Sequence, residues 1–320
     1  MKTSVSTAIL TGASGFIGAA VYTELLRRKI RPLVLLRAES DRTRLPQLDD
    51  KNVYIFSRLD DAGLAEKLHA HQPEVFIHCA WRGVGGQERN EEFQLTENVP
   101  FTLASANLAI ASGCRQWVGL GSQAEYGNAN RILDETATTQ PTTLYGQAKL
   151  TAGNEALALC AKKNLAAAWL RVFSTYGPGD HPHWMIPFVI REFLSGRTPQ
   201  VTKCEQLWDY LFVADAARAI ASVADGKIFG AFNLGSGEAW PLKKIVEIIR
   251  METNSAVQPN YGAVPYRPDQ VMHLQANIAK LHTVTGWKPQ VNLEVGLRET
   301  VAHEKKNFEI AASLVKQRPQ

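Results

Sequence analysis

The sequence predicts an α/β fold, in which a doubly wound parallel sheet is joined to a second, smaller lobe. Two observations lead to this prediction. Short apolar runs alternate with amphipathic stretches over about the first 175 residues, which is typical of parallel strands connected by helices. After Val172 the pattern changes to Gly- and Pro-rich segments with shorter apolar pieces. A sheet domain followed by a smaller lobe accounts for both patterns.

The predicted strands are short runs of aliphatic and aromatic residues, as expected for strands buried on both faces. They cover residues 8–10, 32–36, 53–56, 75–78, 117–120 and 168–172. Helical patterns lie between them, at about 16–29, 63–71, 91–112 and 145–163. In a sheet of this order, ligands bind beyond the carboxyl ends of the strands.

These patterns divide the chain into parts. We predict a sheet domain over residues 1–175, with return segments near 210–236, and a smaller lobe over 176–209 and 237–308. A helix is expected over 186–194 within the lobe. Residues 309–320 are expected to form a C-terminal tail, helical at first and fraying from 316.

Composition excludes several classes of protein. Hydrophobic residues make up 45% and charged residues 21%, as in globular proteins, and the net charge of +4 is too diffuse for nucleic-acid binding. The four cysteines lack metal-ligand spacing and are expected to be reduced thiols. No apolar run approaches the roughly 20 residues of a membrane span. Because the first predicted strand begins so early, we expect no signal peptide, no membrane anchor and a cytoplasmic location.

Three glycines, Gly12, Gly15 and Gly18, follow the first strand and open the first helix. In a dinucleotide site the first permits the tight turn, the second admits phosphate to the backbone, and the third lets helix and strand pack closely. A plain tight turn is the alternative. We predict a Rossmann-type site whose loop contacts are Gly12, Ser14, Gly15, Phe16, Ile17 and Gly18.

The end of the second strand indicates which dinucleotide binds. An acidic residue there would bond the ribose 2′-OH of NAD, whereas an arginine accommodates the 2′-phosphate of NADP. Here the strand ends in Arg37, so NADP(H) is favoured over NAD(H). After the third strand, Leu59 and Asp60 lie where a carboxylate could accept from the adenine amino group. Alternatively, Asp60 caps the following helix.

Tyr145 and Lys149 are spaced i, i+4 and so project from one face of a helix. We expect the ammonium of Lys149 to lower the pKa of Tyr145 from about 10 toward the working range. A tyrosine of this kind can give a proton to a carbonyl or take one from an alcohol. Together with the glycine loop, this pair indicates hydride chemistry at a carbon that bears oxygen.

With these motifs in place, the chain resembles the extended short-chain dehydrogenase/reductases, the family of sugar-nucleotide epimerases, dehydratases and reductases. The resemblance runs nearly end to end. Besides the glycine loop and the Tyr/Lys pair, it rests on residues 78–81, Asn98, 121–127, 170–173, 176–179, 208–215, 232–237, 267–269 and 286–289.

The resemblance implies roles for individual residues. Tyr145 would be the acid/base, Lys149 would hold the nicotinamide ribose, and Ser122 would hydrogen-bond the substrate oxygen. Arg267 matches the arginine that clamps the substrate diphosphate. The other positions carried over are Ala80 and Phe173 for the cofactor, and Gln123 and Ser174 for the substrate. Trp81 begins a loop after a strand end that is well placed to contact the sugar, and a plain lid is the alternative. No metal is expected.

Three departures from the family pattern inform the function. Dehydratases have an Asp-Glu pair directly after the Ser/Thr, but this chain has Gln123 and Ala124, and Glu125 is one place out of register. Many epimerases carry an asparagine where this chain has Ser174. Trp208 replaces the arginine that commonly precedes the Asp-Tyr/Phe pair. The first departure disfavours dehydration, and the other two count against the usual nucleotide-sugar contacts, although Arg267 remains.

These features predict an NADPH-dependent reductase of a nucleoside-diphosphate 4-keto-6-deoxyhexose, acting in deoxysugar biosynthesis. The alternatives are an NAD-dependent nucleotide-sugar 4-epimerase and an NADPH reductase of a non-sugar carbonyl. A non-catalytic NADP(H) sensor is disfavoured, since both Tyr145 and Lys149 are present. The resemblance also implies a homodimer, formed by the helices that carry Asn98 and Tyr145. Small residues such as Ala152 and Ala156 would permit such packing, but they equally suit contact with the sheet.

Overall fold

The computed structural model describes residues 5–45, 47–86 and 88–316. Within them the strands are β1 (Thr7–Thr11), β2 (Arg31–Leu36), β3 (Val53–Ile55), β4 (Val75–His78), β5 (Gln116–Ser122), β6 (Arg131–Leu133), β7 (Ala166–Val172), β8 (Ser174–Tyr176), β9 (Gln200–Val201), β10 (Leu207–Phe212), β11 (Gly230–Leu234), β12 (Ala239–Pro241), β13 (Asn260–Tyr261) and β14 (His273–Ala276). The helices are α1 (Phe16–Arg27), α2 (Ala62–His69), α3 (Val99–Ala111), α4 (Leu144–Lys162), α5 (Met185–Leu194), α6 (Val213–Ala224), α7 (Leu242–Thr253), α8 (Ala279–Thr285) and α9 (Leu293–Lys316).

The main sheet is parallel and has the order β3-β2-β1-β4-β5-β7-β11. Its strands are buried on both faces because helices cover each side. Alternate residues of β1 show this: Ala8 and Leu10 pack with α1 and α6, whereas Ile9 packs with α2, α3 and α4. The predicted doubly wound parallel fold is confirmed, and each of the six predicted strands is present.

The smaller lobe has its own sheet, of order β12-β10-β14-β6, with β8 alongside β10. Its core lies among α5, α7 and α9. The segment near 210–236 was expected to return to the sheet domain. Helix α6 and strand β11 do so, whereas β10, at the start of this segment, belongs to the second sheet. Strand β6 also joins that sheet, although it lies within the range predicted for the first domain.

The helix predicted at the start of the C-terminal tail is present. It is the second half of α9, which continues through the boundary predicted at 308 and whose first half is anchored in the core of the lobe by Leu297 and Val301. The fraying predicted beyond residue 316 lies outside the described residues. Within the described part of the chain, no helix is long and apolar enough to cross a membrane.

Strand register sets the location of the site. Thr11 at the end of β1 is paired with His78 at the end of β4, and Ser122 at the end of β5 is paired with Val172. The loops that follow these strands therefore meet at one edge of the sheet, where a doubly wound fold binds its ligand.

Candidate active site

The turn between β1 and α1 has no room for a side chain at Gly12 or Gly18. Gly12 has φ +72°, and a Cβ there would lie 2.5 Å from the amide nitrogen of Ala80. A Cβ on Gly18 would lie 1.9 Å from the carbonyl oxygen of Gly12. Gly15 precedes the first turn of α1, which contains no acidic residue. The free amide groups of this helix start therefore suit a pyrophosphate.

A cavity of about 300 Å³ opens above this turn, at the ends of β1, β2 and β4 and against α3. Of the residues predicted to bind cofactor, its wall includes Gly12, Ser14, Gly15, Arg37 and Ala80. The wall as described does not include Phe16, Ile17, Gly18, Leu59, Asp60, Tyr145, Lys149 or Phe173. The cavity thus fits the adenosine and pyrophosphate half of a nicotinamide dinucleotide.

Arg37 lies exposed at the rim of this cavity. Its guanidinium is 5.7 Å from the centre of the Phe101 ring, and within the described chain it forms no side-chain hydrogen bond or ion pair. The carboxylate in the cavity wall, Glu97, is paired with Arg82 at 2.6 Å. A free cation beside a neutralised carboxylate suits a phosphate group.

The helix cap expected at Asp60 is wrong. Asp61 caps α2, because its carboxylate accepts from the amide of Gly63 at 2.8 Å. Asp60 instead accepts from the Nε of Arg58 at 2.8 Å, and this hydrogen bond lowers the pKa of Asp60. The preceding residue, Leu59, is buried in the core beneath α2.

The structure brings Ser122, Tyr145 and Lys149 together below the end of β5. All three are buried, at 7%, 9% and 4% exposure. A hydrogen bond joins the Ser122 hydroxyl and the Tyr145 phenol, and Nζ of Lys149 donates to the carbonyl of Leu120 at 2.6 Å. Thr143 caps α4 by accepting from Gly146, which fixes the first turn of the helix that carries Tyr145.

The expectation that Lys149 lowers the pKa of Tyr145 is wrong in this structure. Burial raises the pKa of Tyr145, and the hydrogen bond with Ser122 and the charge of Arg89 oppose this only in part. Burial also lowers the pKa of Lys149 to about 7. The charges that act on the pKa of Tyr145 are those of Arg89, which lowers it, and Glu125, which raises it, and Lys149 is not among them.

Trp81 separates the cavity from the catalytic pair. Its ring lies 3.6 Å from Nζ of Lys149 and packs edge-on against Tyr145, with ring centres 6.0 Å apart. Its indole Nε1 donates to Gln94 at 2.9 Å. Trp81 also lines the cavity. It was predicted as a substrate contact, and it lies between Lys149 and the cavity that fits the dinucleotide.

Glu125 is completely buried, and both oxygens of its carboxylate accept hydrogen bonds. Its carboxylate accepts from the Ser122 amide and the Trp169 indole, both at 2.9 Å, and pairs with Arg171 at 2.7 Å. It thus holds the end of β5 in place. Gln123 occupies the first turn after Ser122 and is half-buried. These contacts leave Glu125 without a free oxygen to exchange protons with a sugar.

The residues predicted to bind the substrate do not all lie at one site. Ser174 accepts from the indole of Trp208 at 2.7 Å, so two positions that depart from the family pattern contact each other. Phe173 is buried against Tyr126 instead of lining the cavity. Arg267 lies exposed in the loop before β14 and, in the described structure, forms no side-chain hydrogen bond or ion pair.

Two residues near the centre were not predicted from the sequence. Arg89 lies over the Tyr145 ring, and Gln94 joins Trp81 to the loop that follows it. No local motif marks either residue, although both lie in short helical turns: Arg89 in a 3₁₀ turn and Gln94 at the start of a π-helical turn. Asn98 was predicted to brace backbone, and it does so by bonding both the amide and the carbonyl of Arg82.

A doubly wound sheet, a glycine-lined dinucleotide cavity and a buried Ser/Tyr/Lys centre define a nicotinamide-dependent enzyme of the short-chain dehydrogenase/reductase type. Comparison with known proteins agrees. Residues 8–235 match the model of the NAD dependent epimerase/dehydratase family, and the chain belongs to that family.

Individual relatives have several activities. The chain is 26% identical to an Escherichia coli dTDP-4-dehydro-6-deoxyglucose reductase, covering 92% of this chain and 96% of the relative. It is also 26% identical to dTDP-glucose 4,6-dehydratase 1 of Escherichia coli strain K12, covering 92% and 91%. Among solved structures, UDP-N-acetylglucosamine 4-epimerase from Methanobrevibacter ruminantium M1 has the same fold, with a TM-score of 0.83 at 23% identity over 95% of this chain and 99% of that one.

Proposed function

We propose that this protein uses NADPH to reduce the keto group of a nucleoside-diphosphate 4-keto-6-deoxyhexose. The observation that carries the proposal is the buried centre of Ser122, Tyr145 and Lys149, whose hydroxyl groups can act on one carbonyl oxygen. Burial raises the pKa of Tyr145 and so favours the protonated phenol that gives its proton to a ketone.

Two further observations support a reductase. The carboxylate nearest in sequence to Ser122 is that of Glu125, whose oxygens are held by Ser122, Trp169 and Arg171, so proton exchange of the dehydratase kind lacks its base. Arg37 is a free cation at the rim of the dinucleotide cavity, which favours the 2′-phosphate of NADPH. The relative named as a dTDP-4-dehydro-6-deoxyglucose reductase points to the same substrate class.

The chain's own residues divide the work as follows. Ser122 and Tyr145 direct their hydroxyl groups to one carbonyl oxygen of the substrate and stabilise the charge that develops there. Tyr145 then gives its proton to that oxygen. Lys149 binds the nicotinamide ribose beside Tyr145. Arg267 binds the diphosphate of the substrate. When bound, the nicotinamide supplies the hydride.

The test mixes purified protein with NADPH, and separately NADH, and with dTDP-, CDP- or GDP-linked 4-keto-6-deoxyhexose. Loss of reduced-cofactor absorbance with NADPH, absent in Tyr145→Phe, is expected. If no reduced cofactor is consumed while C4 epimers interconvert on copurified NAD, the protein is an epimerase. If a non-sugar ketone is reduced and Arg267→Ala has no effect, the substrate class is wrong.

We also infer a homodimer that uses the outer faces of α3 and α4. The structure places Ala152 and Ala156 against the sheet, but Leu103, Leu157 and Leu159 are only partly buried on these two helices. Light scattering with size-exclusion chromatography is expected to give twice the mass of 35.3 kDa, and Leu159→Glu is expected to halve it.

A further inference from the structure

The segment after Trp81 is held against the helix that carries Tyr145. Asn90 accepts from the amide of Leu144 at 3.2 Å, at the start of α4. Gln94 is fully buried, and its amide donates to the carbonyls of Gly83 and Glu88. Gln94 begins a π-helical turn over Gln94–Asn98, a feature often found at functional sites. A buried amide therefore fixes the short turn on which Arg89 lies.

Arg89 reaches from this turn to the catalytic tyrosine. The centre of its guanidinium is 4.6 Å from the centre of the Tyr145 ring, within the range of a cation–π contact. Its Nε is buried and has no hydrogen-bond partner. A guanidinium keeps its charge at any working pH. Arg89 thus places a permanent positive charge on the face of the phenol.

The other charged groups around the phenol are weaker candidates for this task. Lys149, from the same helix, has its Nζ 5.8 Å from the ring centre, and burial lowers the pKa of Lys149 to about 7. Glu125, beyond Ser122, raises the pKa of Tyr145, but it is itself paired with Arg171. Among the described groups, Arg89 is the cation whose charge lowers the pKa of Tyr145.

We propose that Arg89 is a positioning residue for proton transfer at Tyr145: its guanidinium holds the ring and stabilises the phenolate that each turnover produces. The role assigned to Tyr145 rests on the proposed function, whereas the effect of Arg89 on the phenol does not. Donation of the phenol proton to a carbonyl leaves a phenolate beside Ser122. A fixed cation on the ring face offsets that charge in a site from which water is excluded.

The first test needs no substrate. The near-ultraviolet absorbance of the Tyr145 phenolate is obtained as the difference between the protein and its Tyr145→Phe variant, read after a rapid pH jump before unfolding. Arg89→Gln is expected to shift this titration upward by about one pH unit. At a given pH below the midpoint, the phenolate fraction is then about tenfold lower. Arg89→Lys is expected to recover most of the shift. Glu88→Gln, in the same turn, is the matched control and is expected to leave the titration unchanged.

The second test measures turnover. With oxidised cofactor and the alcohol product, the rate should increase with pH as Tyr145 ionises, and Arg89→Gln should move that increase upward by the same interval. A merely structural role would lower the rate at every pH without moving the profile. An unchanged phenolate titration in folded Arg89→Gln overturns the proposal. Activity that survives Tyr145→Phe would instead disprove the proposed function and leave the titration result standing.

Discussion

The ammonium of Lys149 lies 3.6 Å from the centre of the Trp81 ring, and that ring forms part of the wall of the dinucleotide cavity. Lys149 is the residue expected to hold the nicotinamide ribose, and the Trp81 indole lies against its Nζ. We therefore expect binding of the nicotinamide half of a cofactor to displace the Trp81 ring.

This relationship predicts a change in the fluorescence of Trp81 on binding of NADP⁺. Adenosine 2′,5′-bisphosphate, which lacks the nicotinamide half, is expected to bind without it. The change should be absent in Trp81→Phe and retained in Trp184→Phe, since Trp184 lies exposed in the small lobe. Equal changes in Trp81→Phe and the unaltered protein would show that the indole stays in place.

Arg37 predicts how the protein distinguishes the two cofactors. Because its guanidinium lies at the cavity rim and has no hydrogen bond or ion pair within the described chain, we expect replacement by serine to remove a charge-assisted contact to the 2′-phosphate of NADPH. Arg37→Ser is expected to raise the Kd for NADPH about 10- to 100-fold and to leave that for NADH within about threefold. Calorimetric titration with both cofactors measures this. Arg58→Ser, which removes an exposed arginine paired with Asp60, is the control. An equal loss of affinity for NADPH and NADH would show that Arg37 contacts the adenine and not the 2′-phosphate.

Local sequence patterns predicted the parts of this site that depend on local geometry. The strand-glycine-helix pattern at Gly12 and the i, i+4 spacing of Tyr145 and Lys149 follow from backbone periodicity, and the register of parallel strands brings them to one edge. The pKa of Tyr145 could not be predicted in this way, because burial, which dominates it, depends on the whole fold. The contact of Arg89 with Tyr145 joins residues 56 positions apart, one in a short 3₁₀ turn and the other on α4, and no periodicity encodes it.

The buried pair of Glu125 and Arg171 predicts a large effect on stability. Glu125→Gln would leave the guanidinium of Arg171 buried without its counter-charge, and we expect a loss of about 3–5 kcal/mol in the free energy of unfolding. Urea denaturation measures this. The double variant Glu125→Gln/Arg171→Met should lose less than the sum of the single changes. A Glu125→Gln protein of unaltered stability but without activity would indicate that Glu125 exchanges protons with the substrate after all.

Lys149 predicts a cost in stability that depends on pH. Burial lowers its pKa from 10.5 to about 7 in the folded protein. Above pH 10.5 the amine of Lys149 is neutral in both the folded protein and the unfolded chain, so its burial does not lower the free energy of unfolding. Between 7 and 10.5 only the unfolded chain holds the proton, so stability rises with pH, and below 7 the full penalty of burying the charge is present.

Lys149→Met should therefore be inactive but more stable than the unaltered protein, by about 2 kcal/mol at pH 7 after the lost hydrogen bond to Leu120 is subtracted. The difference should shrink as the pH approaches 10.5. Urea denaturation across this range measures it, with Lys162→Met as the control, since Lys162 lies exposed at the end of the same helix. A Lys149→Met protein that is less stable at every pH would mean that the ammonium stabilises the fold, and that its charge is retained through contacts with Trp81 and Leu120.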